Sequence, residues 1–279
     1  MNQITLPAPA KLNLFLHITG QRENGYHDLQ TIFQFIDRCD TLSFTTREDS
    51  RIVLHSKILG VSAEENLCVR AAKLMQHYDS KRRGVDIHLE KNIPIGGGLG
   101  GGSSDAATTL LGLNKLWQLN LLSADLLQIG MNLGADVPVF IKGKTCWAEG
   151  IGEIMTPLDL PEPWYVIVVP PVLVPTAEIF FDNQLTRDTP KRKMSASLLE
   201  NGHNDCEAVV VRRYPEVGQA LEWLKQYGKA KLTGSGACVF AAFADEQSAL
   251  DVVNLIAAPF KGFVAKGLKA SPLINALKR

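Results

Sequence analysis

The sequence has little of what marks a secreted, membrane-bound or polyanion-binding protein. Its five cysteines (Cys39, Cys68, Cys146, Cys206 and Cys238) are an odd number with no C-x-x-C spacing. That argues against a disulfide framework or a structural zinc site and points to a reduced chain in the cytoplasm. Neither sign of charge is in excess. The 29 Lys+Arg balance 29 Asp+Glu, so no overall field draws nucleic acid or a membrane surface. The densest basic runs, Lys81-Arg82-Arg83 and Lys191-Arg192-Lys193, read as solvated loops. Long apolar runs are missing as well: Tyr165 to Pro175 is broken by prolines and too short to cross a bilayer. Met1 to Lys11 lacks the basic-then-apolar pattern of a signal peptide.

What is there is ordinary globular material: 279 residues, 46% hydrophobic and 21% charged, enough for one large domain or two small ones. Leu12, Leu14, Leu16 and Ile18 alternate with Lys11, Asn13, Phe15 and His17, which predicts a strand with two polar groups on one face. Further strands are expected over 31–36, 41–45, 51–55 and 85–90, and helices over 66–76 and 123–133. Ser103 or Ser104 is the expected cap of a helix holding Ala106, Ala107, Leu110 and Leu113. Thr156-Pro157 and Pro161-Glu162-Pro163 then interrupt the pattern before strands at 164–169 and 237–243, with a polar basic segment around Arg187 to Lys193 between them. A boundary near residue 153 divides the chain into 1–153 and 154–279, both of mixed α+β character.

Six of the 23 glycines fall within Gly96 to Gly102, between a strand and a helix. Glycines there let successive N–H groups converge on a phosphate, and the helix N-terminus behind them adds orphan donors. The spacing of Gly96, Gly98 and Gly101 fits G-x-G-x-x-G, but no acidic residue closes a following strand where Leu119 to Leu122 sit, which disfavours a dinucleotide fold. A Walker A loop needs a lysine where Ser103 stands.

The segment PIGGGLGGGSSDAA at 94–107 resembles the ATP-binding motif of the galactokinase, homoserine kinase, mevalonate kinase and phosphomevalonate kinase (GHMP) superfamily. PAKLNL at 9–14 resembles its first motif and LTGSGAC at 232–238 its third. GQRENGYH at 20–27, LGADVPVF at 133–140 and VAKG at 264–267 are similar to the branch that phosphorylates a cytidine-diphosphate-linked methylerythritol. The resemblance spans nearly the whole chain. It implies a two-domain α+β fold with the active site in the interdomain cleft, ATP as co-substrate and Mg²⁺ to offset phosphoryl charge.

The resemblance also implies roles. Asp136 acts as general base beside Lys11, against the alternative that it caps its own helix turn. Asn13 and Thr176 bind the polyol part of a small-molecule cytidyl substrate, and Tyr26, His27 and Phe180 form its cytosine pocket. Asn66 and Lys91 lie near the adenine, and Pro94, Gly96, Gly97, Gly98, Leu99, Gly100, Gly101, Gly102, Ser103 and Ser104 cradle the phosphates. Asp105 either complements the helix dipole or holds Mg²⁺ through water; no metal ligand is assigned. Two other readings stay open: a homoserine- or mevalonate-type kinase, which has no need of a cytosine pocket, and a nucleotide-binding regulator without catalysis, which would have no use for both Lys11 and Asp136.

Overall fold

A computed structural model describes residues 2–56 and 62–278. The chain opens on two long antiparallel strands, β1 (Gln3–Gln21) and β2 (His27–Arg47), joined through a turn at Asn24 and Gly25. β3 (Ile52–Leu54), helix α1 (Leu67–Gln76) and β4 (Gly84–Glu90) follow; β4 pairs antiparallel with β2, and β3 runs parallel beside it. Helices α2 (Gly101–Leu116), α3 (Ser123–Met131) and α4 (Val137–Lys142) come next, then the hairpin β5 (Cys146–Gly150) and β6 (Ile154–Pro157).

The later part contains β7 (Trp164–Val169), α5 (Thr176–Phe180), α6 (Ala196–Asn201), α7 (Glu207–Arg213) and α8 (Pro215–Lys225). It continues through β8 (Lys231–Leu232), β9 (Val239–Phe243), α9 (Glu246–Val253), β10 (Lys261–Leu268) and α10 (Pro272–Leu277). Among the described residues one main sheet path runs β3-β4-β2-β10-β7-β9-β8. β10 is its hinge piece. Lys261 to Lys266 pair with β7, and Gly267 and Leu268 pair with Ile36 and Phe35 of β2.

Three apolar clusters form among the described residues. The first packs Phe35, Phe44 and Val85 of the sheet against Ala71, Leu110 and Phe140 of the helices; the second gathers β7 and β9 with α7, α8 and α9; the third lies between them. Residue 153 falls in the turn of the β5–β6 hairpin, and β5 pairs with β2, so β6 is joined to the sheet of the first part.

Most expected elements form, with informative differences. The strands expected at 31–36 and 41–45 are one strand, because β2 spends four steps from Phe35 to Cys39 where β1 spends two from Pro9 to Lys11, absorbing the polar pair Asp37 and Arg38 within a bulge. The simple alternation expected for β1 fails. A second register shift between Asn13 and Leu16 sends Leu12, Leu14 and Phe15 into the third cluster and Leu16 and Ile18 into the second. The released edge is used at once: the Leu16 N–H donates to His203 O, and the Asp205 N–H donates to Leu16 O.

Candidate active site

At the centre three segments meet. Lys11 and Asn13 reach from β1, the Gly96–Gly102 loop closes one side, and the turn at Thr233 to Gly236 packs behind it. The Asn13 N–H donates to Thr233 Oγ1 (3.0 Å), and the Lys11 N–H donates to Leu99 O (3.0 Å). Between these segments, α4 and α5 lies a cleft of about 580 Å³.

The glycine loop has its carbonyls turned inward and fastened. Gly96 O accepts from the Ala237 N–H and Gly97 O from the Cys238 N–H; Gly98 O accepts from Lys11 Nζ (2.9 Å), and Gly100 O from the Ser104 N–H. With every carbonyl from Gly96 to Gly100 engaged, the N–H groups are left over. Among the described residues, no N–H from Gly96 to Ser103 donates to a protein acceptor. They sit at the positive end of the sixteen-residue α2, an arrangement suited to an anion.

The glycines are demanded by the protein itself as much as by a ligand. A Cβ on Gly98 (φ +72°) would lie 2.1 Å from Thr233 O, and one on Gly100 (φ +74°) 2.8 Å from the Phe140 ring. Gly100 also corrects the expected cap: it is the left-handed N-cap residue of α2, and Ser103 and Ser104 lie inside the helix. Ser103 lines the cleft, whereas Ser104 does not. Its N–H is tied to Gly100 O and its Oγ is buried without a partner, so the structure does not support it as a phosphate contact.

Asp136 is the N-cap residue of α4 but makes no side-chain bond to that helix. The capping alternative is therefore excluded. Its Oδ2 lies instead 3.4 Å from Lys11 Nζ, with the carboxylate 36% exposed to the cleft. Lys11 is buried and donates more closely to Asn13 Oδ1 (2.5 Å), and Asn13 Nδ2 donates on to Thr31 Oγ1 (2.9 Å). Thr176 and Phe180 come from α5 at the far end of the cleft, where Thr176 Oγ1 and Ser235 Oγ are 2.8 Å apart.

Asn66 also lines the cleft and caps α1 by accepting the Cys68 N–H (2.9 Å). Lys91 is paired with two carboxylates, Asp40 and Asp105, the latter at 2.8 Å. The expectation that Asp105 simply faces away and complements the helix dipole is thereby revised: its Oδ2 is buried in an ion pair with Lys91 beneath the loop, and its Oδ1 has no protein partner among the described residues. Burial pushes its carboxyl up to about 7, Lys91 opposes this and the nearby Asp40 charge adds to it. Lys91 is raised on balance, since the two carboxylates outweigh its own desolvation. Sequence reading missed Asp40, which is fully buried and whose Oδ1 accepts the N–H groups of Asn92 (2.5 Å) and Ile93 (2.8 Å) at the entry to the glycine loop.

The aromatic group is brought together in part. His27 and Phe180 have ring centroids 5.3 Å apart, with planes inclined at 46°. Tyr26 stands on the turn, 51% exposed, and stacks on neither ring. Arg187, also missed, links the His27 ring to the backbone of α5: its Nε donates to His27 Nε2 (3.0 Å) and one Nη donates to the Phe180 carbonyl O (2.9 Å). Among the described residues no three His, Cys, Asp or Glu side chains cluster as a ready metal site, and no helix is long and apolar enough to cross a membrane.

A glycine loop at a helix N-terminus, facing a lysine–aspartate pair, defines a small-molecule phosphotransferase site, and comparison with known proteins agrees. Residues 66–144 match the N-terminal domain of GHMP kinases and residues 191–262 their C-terminal domain, and the chain belongs to this family of kinases. It is 54% identical over 269 residues to the 4-diphosphocytidyl-2-C-methyl-D-erythritol kinase of Thiobacillus denitrificans, covering 96% of this chain and 97% of that one. The protein of the same name from Pseudomonas paraeruginosa is 53% identical, with 99% and 98% covered. A crystal structure of a 4-(cytidine 5'-diphospho)-2C-methyl-D-erythritol kinase superposes with a TM-score of 0.81 at 31% identity, over 95% of this chain and 99% of that one.

Proposed function

We propose that this chain transfers the γ-phosphoryl group of ATP to the 2-hydroxyl of 4-diphosphocytidyl-2-C-methyl-D-erythritol, as the names of its near full-length relatives indicate. The observation that carries the chemistry is the row of unengaged N–H groups from Gly96 to Ser103, set beside the Lys11–Asp136 pair. The loop holds the phosphates. Asp136 accepts the proton of the substrate hydroxyl, and the Lys11 ammonium steadies the oxygen as it attacks phosphorus. Because phosphoryl transfer passes through a loose transition state, positioning and charge do most of this work.

Asn13 and Thr176 present hydrogen-bonding groups to the polyol, and Tyr26, His27 and Phe180 hold the cytosine ring. Asn66 and Lys91 lie on the adenine side. Mg²⁺ fits the oxygen donors here. Ser103 faces the cleft, and Asp105 Oδ1 is a buried carboxylate oxygen without a protein partner among the described residues, so these two residues would hold the ion. When bound, it neutralises charge on the phosphoryl oxygens.

We divide the chain near residue 153, with the ATP-binding part before it and the second GHMP part after it, the two family matches lying on either side of that point, while β6 and α10 pack with the first part. We place the reaction in the cytoplasm, in non-mevalonate isoprenoid precursor synthesis. Five thiols outside any disulfide support that location. The test is a coupled assay of ADP release with the cytidyl substrate, mevalonate and homoserine side by side. Turnover of the cytidyl compound alone is expected, and preferential turnover of either of the others would overturn the substrate.

A further inference from the structure

Arg187 belongs to a segment that reads, in sequence, as polar and basic and nothing more. In the fold its guanidinium is pinned on all sides. Nε donates to His27 Nε2 (3.0 Å), Nη1 to Leu185 O (3.1 Å), and Nη2 to both Phe180 O and Asp182 O (2.9 Å each). Three carbonyls thus fix the position of the group that meets the imidazole.

A guanidinium has donors and no acceptor, so the imidazole nitrogen it meets must supply a lone pair. A neutral imidazole carries one proton. With Nε2 accepting, that proton belongs on Nδ1. A second proton would set two N–H groups and two positive charges against each other, and burial together with Arg187 holds the His27 pKa below its ordinary value. Nδ1 has no protein partner among the described residues. It is not sealed off, unlike both ring nitrogens of His17.

We infer that Arg187 is a positioning residue that fixes His27 as the Nδ1–H tautomer, so that a pyrimidine held beside the His27 and Phe180 rings is selected for a hydrogen-bond acceptor at ring N3. Cytosine has a lone pair there. Uracil has an N–H, which would leave two donors facing each other without acceptors. The selectivity half of the inference rests on the cytidyl reading of Tyr26, His27 and Phe180; the tautomer half rests on the Arg187–His27 contact alone.

Long-range ¹H–¹⁵N correlation spectra of the full-length protein report the tautomer directly, with His27 assigned by loss of its signals in His27→Gln. The wild type is expected to show a protonated Nδ1 at neutral pH, and an Nε2–H form would overturn the inference without any variant. Arg187→Met removes the donor at similar length. It should release the tautomer and lower the ratio of kcat/KM for the cytidine substrate over its uridine counterpart by about tenfold, with KM for ATP unchanged. If Arg187 only braces α5, both substrates lose affinity together, the ratio stays and the tautomer does not move, which would overturn it. Arg187→Lys keeps a charged donor and should retain more of the ratio than Arg187→Met; the reverse order counts against the inference. A wild type indifferent to the base would sink the cytidyl reading and the selectivity claim with it, while the spectrum would still decide the tautomer.

Discussion

Lys11 Nζ lies 3.4 Å from Asp136 Oδ2, yet its closer bonds go to Asn13 Oδ1 at 2.5 Å and Gly98 O at 2.9 Å. One ammonium therefore faces the proposed base and ties down the phosphate loop. The two members of the pair should respond differently to mutation, since only one of them holds the loop.

Asp136→Asn removes a charge and a proton acceptor but no contact to the glycine loop. We expect kcat to fall by about 10²- to 10⁴-fold while the Kd for ATP stays within a few fold. Lys11→Met should damage both, and by leaving Asn13 Oδ1 without its donor and Gly98 O with only the long bond from Thr233 Oγ1 (3.4 Å) it should cost about 1–3 kcal/mol in urea unfolding. Near-normal kcat in Asp136→Asn would remove the base assignment.

Two glycines of the loop separate packing from mere flexibility. A Cβ at Gly98 meets Thr233 O at 2.1 Å with φ at +72°, whereas one at Gly102 finds its nearest neighbour, Leu67 Cδ1, at 3.8 Å. Gly98→Ala should weaken ATP binding and lower Tm; Gly102→Ala should fold as the wild type does. Calorimetry on the two variants checks the contrast, and equal behaviour would refute it.

The pH dependence of stability follows from Asp105. Its carboxyl, raised to about 7 by burial, binds its proton more tightly in the fold than in the unfolded chain. Its contribution is therefore fully present below the unfolded value near 4 and is lost as pH rises toward about 7. Unfolding scans between pH 5 and pH 7.5 should show stability falling more steeply in the wild type than in Asp105→Asn. Parallel slopes would show that Asp105 does not titrate in this window.

Tyr26 stands exposed on its turn, so its ring can be removed without cost to the core, and its proposed role is to stack on the cytosine. Tyr26→Ala should raise KM for the cytidyl substrate by roughly five- to 150-fold, from base–aromatic stacking of about 1–3 kcal/mol, and leave KM for ATP alone. If the loss falls on ATP instead, Tyr26 belongs to the nucleotide side.

The glycine loop was legible because it is a local signal: six glycines against a helix start can be seen without knowing the fold. So was the spacing that brings Lys11 and Asn13 to one side of β1. The bulge after Asn13 was not, since Leu14, Phe15 and Leu16 carry no turn residue and the extra step is set by where β2 and the His203–Asp205 segment lie. Asp40 was invisible for a similar reason. Its partner Lys91 is 51 residues away, and a carboxylate among strand residues looks like any exposed one until the loop entry is folded over it. The serine cap failed because a left-handed Gly100 can start a helix with no side chain at all.

The return of the chain through β10 has a consequence for how the molecule comes to be made. Leu273 of α10 is fully buried in the first core, the Ser271 N–H donates to Gly143 O, and Lys115 Nζ reaches Leu277 O (2.6 Å). The half that carries the glycine loop thus lacks a piece of its interior until α10 has left the ribosome. During synthesis it waits as an unfinished shell. Separate expression of the two halves would reproduce that waiting state permanently, with an apolar socket open where α10 should dock.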